Sequence, residues 1–462
     1  MKPSFLTDDS NSRHMARPKG HPQANGCRYL QQQAERPLKT DGKQRFEDAD
    51  FLRGVAAAGV VVYHFLYGFL PAAPSGGFGA SLVSVDRPVL LAAFNGPFLV
   101  SVFFVLSSFV LTSNLVRQSD PRRAAIGVIK RFPRLLPLTI IGTALPAALF
   151  FCGWMFNSEA AGLTGSSWLE RSGGVKLWEP WPYPTLPGAA LDVLSLFVRG
   201  ISQYNSVLWT MKYELLGSIL ALITAALLGS RPRALLDGAI AALLAYAALK
   251  VHPLCAICVA TVYLTKYGFP LLHRLGKSGG LALILVGLVL GSTNQSFPQA
   301  WLADEWAARQ ILRADWFIHG LGAMLLLMGT RAMGLSSVYQ SAPSRFLARH
   351  SFAMYILHVP LQGSVASLVI LLLGNNVLGI AAAFVVSTGL LALLMRPVSR
   401  LDEAWVKRLN RVFSRSKTLR GKNAAGVEPI PGLPPAERIS SGSLGLRRAM
   451  PWAFETKRHD RL

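Results

Sequence analysis

The chain has 462 residues, of which 51% are apolar or aromatic and 15% charged, with a formal net charge of +23. A soluble domain carries about 25% charged residues; here the charge gathers in two tails and short loops between long apolar stretches, which excludes a soluble globular enzyme and predicts an all-α, polytopic transmembrane bundle. The basic excess forms no patch of the kind that nucleic-acid recognition needs, so anionic lipid headgroups, not nucleic acid, are its expected partners.

Residues 1–45 are polar and charged, with no apolar core of a cleavable signal peptide, and read as a disordered basic cytosolic tail. Ten apolar segments follow, near 51–70, 90–115, 135–156, 208–229, 234–250, 251–267, 279–294, 316–334, 351–373 and 377–396. They make residues 46–396 the membrane domain. From Pro397 onward the chain is basic and rich in Gly, Pro and Ser, so 397–462 is expected to be mostly disordered. With the N-terminus inside, the inner loops hold 14 Lys and Arg in 56 residues against 6 in 94 for the outer loops. That asymmetry places both termini in the cytosol and the protein in the cell membrane. Cys255 and Cys258 lie in an apolar stretch without a second ligand pair, so they are expected to be ordinary buried cysteines, and no metal site is expected.

Arg53 and His64 share the first apolar run, eleven residues apart, so both lie on one helix face about 16 Å apart along the axis. Ionisable groups within a span are costly and mark pathways or sites. Counting ~1.5 Å per residue from the span boundaries brings Glu214 to nearly the depth of His64, an arrangement that suits either a general base or a structural hydrogen bond between spans. Arg131 and Arg134, three apart ahead of the third span, suit either a pyrophosphate clamp or an inner-boundary anchor. The long outer segment 157–207 carries Trp168, Trp178, Trp181, Tyr183 and Tyr204. Those rings fit an acceptor platform or an interfacial belt equally well. Asp315 and His319, four apart near the outer end of the eighth span, are expected to be a local pair.

Five landmarks in order resemble the acyltransferase-3 family of integral-membrane O-acyltransferases that modify surface polysaccharides. They are Phe51-Leu52-Arg53-Gly54 through Tyr63-His64-Phe65, with its Arg-x10-His spacing; Phe103 to Leu111; Arg131-Phe132-Pro133-Arg134; Leu208-Trp209-Thr210 through Glu214; and Tyr355-Ile356-Leu357-His358-Val359-Pro360. Ser108 departs from the family's Gly, and as the next smallest polar residue it is expected to preserve close helix packing. Many relatives carry an extra soluble domain after the last span; this tail is too short and polar for one.

The resemblance implies His64 as catalytic base or transient acyl carrier, with Glu214 orienting it or meeting the acceptor hydroxyl. It implies Arg53 beside the donor thioester, Arg131 and Arg134 on the phosphates of acyl-CoA, Tyr355 and His358 along the donor path, and Trp209 at the acceptor. Acyl-CoA, most simply acetyl-CoA, is then a co-substrate and no further cofactor is expected. The acceptor is a carbohydrate hydroxyl of a surface glycan or its precursor. The rival expectation is a transporter or flippase for glycan intermediates or acyl groups, with His64 and Glu214 as a proton relay.

Overall fold

The computed structural model describes residues 46–70, 95–172, 185–292 and 305–425. Every regular element among them is helical. The chain divides into residues 1–399 and 400–462, and the candidate site lies within the first unit. Ten helices carry the architecture: α1 (Glu47–Phe69), α2 (Gly96–Thr112), α3 (Pro121–Phe151), α4 (Thr210–Leu228), α5 (Ala234–Val251), α6 (Pro253–Tyr267), α7 (Gly276–Gly291), α8 (Glu305–Met333), α9 (Ala342–Leu361) and α10 (Val377–Ala425). The described part of each of the ten apolar segments falls wholly or largely on one of them, the ninth continuing past α9 through Gln362–Ala366 into Ser367–Leu373. Among the described residues, seven helical stretches are long and apolar enough to cross a membrane, while α6 and α7 are apolar but shorter.

Local chemistry sets the helix starts. Asn95 caps α2 by accepting from Phe98 N, with Pro97 in the first turn, and Asp120 caps α3 by accepting from Arg123 N at 3.0 Å. The basic segment after Pro397 does not begin as disordered chain: α10 runs through that proline to Ala425. Val398, Leu401, Trp405, Leu409 and Val412 recur every three or four positions, an amphipathic period that sustains a helix beyond one missing N–H. Segment 157–207, read as an outer loop, contains three short helices: Asn157–Thr164, Ser167–Ser172 and Leu186–Arg199. The first tail, residues 71–94, and Trp178, Trp181 and Tyr183 lie outside the described residues.

Two helix pairings position the site. The first joins α1 and α9, which run parallel. A Cβ at Gly54 would come within 2.7 Å of Ala348 N, so only a glycine lets the two backbones approach this closely. Ten residues further along each helix, His64 meets His358. The second pairing is antiparallel, α1 against α2: the Phe46 and Phe109 rings touch at one end, and Tyr63 packs on Gly96 at the other. Ser108 is fully buried on α2.

Prolines interrupt α3 at Pro133, Pro137 and Pro146, and α9 at Pro360. A proline cannot donate to the carbonyl four residues earlier, so Pro146 releases Gly142 O and Pro360 releases Ile356 O. The fully buried Asn205 repairs both. Its Nδ2 donates to Gly142 O at 3.0 Å and to Ile356 O at 2.8 Å. One side-chain amide thus closes two broken helical ladders and binds them to each other.

Replacing Asn205 by Ala should lower stability by about 2–4 kcal/mol, since two bonds are lost and two buried carbonyls are left bare. Asn205→Asp, which sets a carboxylate against two carbonyl oxygens, should do worse. Thermal unfolding in detergent measures both; an Asn205→Ala protein that melts with the wild type would refute this role.

Candidate functional site

Late on α1, the imidazole of His64 is half-buried and bonded on one nitrogen only. Its Nδ1 lies 3.1 Å from Val60 O and 3.0 Å from Nε2 of His358. His358, buried on α9, places its own Nδ1 3.1 Å from Met354 O. Among the described residues, Nε2 of His64 has no hydrogen-bond partner. The ring of Trp168 stacks on His64 with centroids 5.1 Å apart and planes 25° apart, and Tyr63 meets it edge-on at 5.0 Å. Trp168 is held there because Ser166 Oγ donates to Tyr67 O at 2.9 Å, and because Gly68 leaves room for the indole. The imidazole of His64 is therefore gripped on one edge, covered on one face by an indole and, among the described residues, unbonded on the opposite edge.

Glu214 does not join this group. Its Oε1 accepts from Ser107 Oγ at 2.6 Å and from Arg131 Nη2 at 2.7 Å, while Arg131 Nε donates to Ser218 Oγ at 2.7 Å. On α2 the contact with Tyr63 falls at Gly96 and that with Glu214 at Ser107, eleven residues and about 16 Å further along. The shared depth expected from span boundaries fails because α4 is entered through a 3-10 turn, Ser206–Trp209, packed inside the bundle. Arg131 in turn is not a loose clamp: two of its nitrogens bind α4, and Nη1 alone has no partner among the described residues. Arg134 lies half-buried one turn along the same helix.

Arg53 pairs with Asp50 at 2.9 Å and sits about 16 Å along α1 from His64, too far to touch atoms reacting at that ring. Tyr355 is buried, its hydroxyl donating to Val207 O at 3.0 Å and lying 2.9 Å from Thr210 Oγ1, so it ties α9 to the turn before α4. Trp209 is half-buried in a group of rings with Tyr213, His252 and Trp316, centroids 5.8, 6.0 and 6.0 Å away. His319 and Asp315 are buried on α8, with His319 Nε2 3.3 Å from Asn95 Nδ2. Cys255 and Cys258 are buried free thiols.

Sequence reading placed His358 on a donor path, and the fold sets it against His64. It also left Trp168 as one ring among several. The available signal for His358 was its position ten residues beyond Ala348, matching the ten from Gly54 to His64, and this is visible only once the two helices are known to be parallel. Ser107 stands inside the Phe103 to Leu111 landmark, but nothing in the sequence pairs it with Glu214, and Ser218 carries no sequence signal.

Residues 46–396 match the family profile described as an acyltransferase domain. Among curated proteins, an acyltransferase of Cochliobolus lunatus, clz18, is 25% identical over 328 residues, covering 59% of this chain and 69% of the relative. No solved structure matches the chain.

The Arg131–Glu214 pair is mostly buried, with side chains 12% and 17% exposed. Removing one partner strands the other charge, at a cost of about 3–5 kcal/mol, whereas replacing both with apolar groups is often near neutral. Arg131→Met and Glu214→Leu should each lower the melting temperature in detergent, and the double variant should recover most of the loss. Additive losses would show that the two do not act as a pair.

Proposed function

This chain belongs to the acyltransferase-3 family, and on that premise we propose that it moves an acyl group, most simply acetyl, from acyl-CoA to a hydroxyl of a cell-surface glycan or its precursor, with His64 as the base. The observation that carries this reading is the single-edged grip on His64: an imidazole that bonds the protein through Nδ1 and leaves Nε2 without a partner among the described residues. A purely structural histidine in a span satisfies both nitrogens.

In the proposed reaction the acceptor hydroxyl approaches Nε2 and attacks the thioester carbonyl. A new C–O bond forms as the hydroxyl proton passes to His64 Nε2. The C–S bond then breaks, and the leaving thiolate takes that proton from His64 Nε2. Ester and CoA thiol are the products, and His64 ends neutral. The alternative order, in which Nε2 first takes the acyl group itself, uses the same open edge.

Arg53, Arg131 and Arg134 lie toward the opposite end of α1 and α2 from His64, separated from it by about 16 Å along these axes at Arg53 and at the Ser107 contact. We assign the donor's phosphates to that end, reached from the cytosol, with Nη1 of Arg131 and the Arg134 guanidinium as their partners. An extended pantetheine arm is long enough to bridge the separation. On the acceptor side, the flat faces of Trp168 and Trp209 suit the apolar face of a sugar ring, Trp168 by its place on His64.

Purified protein in nanodiscs, supplied with labelled acetyl-CoA and membrane glycan acceptors, should transfer label. His64→Ala should lose transfer by at least about 100-fold, the lower end of what a general base contributes, while remaining inserted and folded. Undiminished transfer by His64→Ala would remove the assignment, and movement of a glycan across the bilayer without modification would point to a transporter instead.

A further inference from the structure

Resting on the proposal that His64 is the base, we infer that His358 is its positioning residue: it holds His64 in the one neutral tautomer that bares Nε2, with no carboxylate of the described residues bonded to either ring.

The assignment follows from counting donors and acceptors. Met354 O can only accept, so the 3.1 Å contact requires a proton on His358 Nδ1. A neutral His358 then has a bare Nε2, which can only accept. The atom facing it at 3.0 Å is His64 Nδ1, which must therefore carry its proton and shares it with Val60 O at 3.1 Å. A neutral His64 protonated on Nδ1 has its lone pair on Nε2. The opposite assignment places a lone pair of His64 Nδ1 against the oxygen of Val60, and it needs either a charged His358 or the loss of the Met354 bond. One arrangement of protons satisfies all three contacts with both rings neutral, and it points the lone pair of His64 away from His358.

The same bond serves the reaction. When His64 takes the acceptor proton on Nε2 it becomes an imidazolium, and its Nδ1–H strengthens toward the bare nitrogen of His358, as hydrogen bonds to charged groups do. The face of Trp168 stacked on the ring adds attraction for the cation. His358 itself neither gains nor loses a proton. Its orientation is fixed by the backbone: Pro360 and the Asn205 bond to Ile356 O bracket it within four residues.

Three variants separate this role from packing and from donor binding. His358→Ala removes the acceptor, and kcat should fall by about 100-fold or more with KM for acetyl-CoA within about two-fold of wild type. Gln carries an amide oxygen at roughly the reach of imidazole Nε2, so His358→Gln should recover at least about ten-fold over His358→Ala. Asn reaches only the Nδ1 position, so His358→Asn should stay as low as Ala. All three are read on protein shown by gel filtration to be folded in detergent. A His358→Ala enzyme with normal kcat, or one whose loss lies in KM, overturns the inference, as does equal activity of the Gln and Asn variants. His64→Ala discriminates the levels: if it is inactive while His358→Ala is normal, only the role of His358 falls, whereas an active His64→Ala removes the base itself.

Discussion

The side-chain amide of Asn205 is the constraint on which the geometry of this bundle depends. Proline inside a helix leaves a carbonyl without a donor, and in a membrane no water is at hand to supply one. Two such carbonyls, Gly142 O on α3 and Ile356 O on α9, converge on the two N–H groups of a single buried residue. The identity of the amide nitrogen is settled by its partners, both of which accept only. Because Ile356 lies two residues before His358, the amide that repairs the ladder also sets the direction in which that imidazole leaves the helix. Five residues after Asn205 the chain enters α4 at Thr210, whose hydroxyl meets that of Tyr355. The repair of two proline breaks, the entry to α4 and the pose of the histidine pair are therefore one mechanical unit.

Close approach of α1 and α9 supplies the other half. Parallel helices keep a constant offset, so the contact at Gly54 and Ala348 recurs ten residues on at His64 and His358. A larger residue at Gly54 would have to push α9 away, and a bond of 3.0 Å tolerates little of that. Close packing through small residues is the usual basis of helix association in lipid, where burial of apolar surface gives little drive. Here it also fixes a hydrogen bond between two rings that are 294 residues apart in sequence.

Much of this architecture is legible in the sequence, and the failures have specific causes. The described parts of the ten apolar segments lie largely on helices because length and hydropathy are properties of a single segment, independent of its neighbours. His64 stands out for the same reason: an ionisable residue in an apolar run needs no partner to be noticed. Pairings are different. The expected His64–Glu214 contact rested on counting inward from span ends, and the count breaks where α4 is entered by the internal turn Ser206–Trp209. Glu214 consequently meets Arg131 and Ser107. The helix through Pro397 was masked by composition, since basic residues and a proline outweighed an amphipathic period that only a helix explains.

Among the described residues, the ion pairs stand apart from the histidine pair. Glu214 and Arg131 neutralise one another about 16 Å along α2 from the level of Tyr63, and Arg53 is neutralised by Asp50 on its own helix. Among the described residues, the groups bonded to or stacked on His64 are neutral: a second imidazole, a backbone carbonyl, an indole and a phenol ring. A carboxylate in place of His358 would carry a charge into the span, and its desolvation would be compensated only by an imidazolium partner. An imidazole does the orienting with one donor and one acceptor and no net charge. The donor nitrogen is anchored to its own helix at Met354 O, so the acceptor nitrogen faces α1 and cannot turn to present an N–H instead. Orientation by a neutral ring thus fixes the edge that His64 presents without bringing a second charge to it, while the ion pairs Arg131–Glu214 and Arg53–Asp50 hold their charge further along the helices.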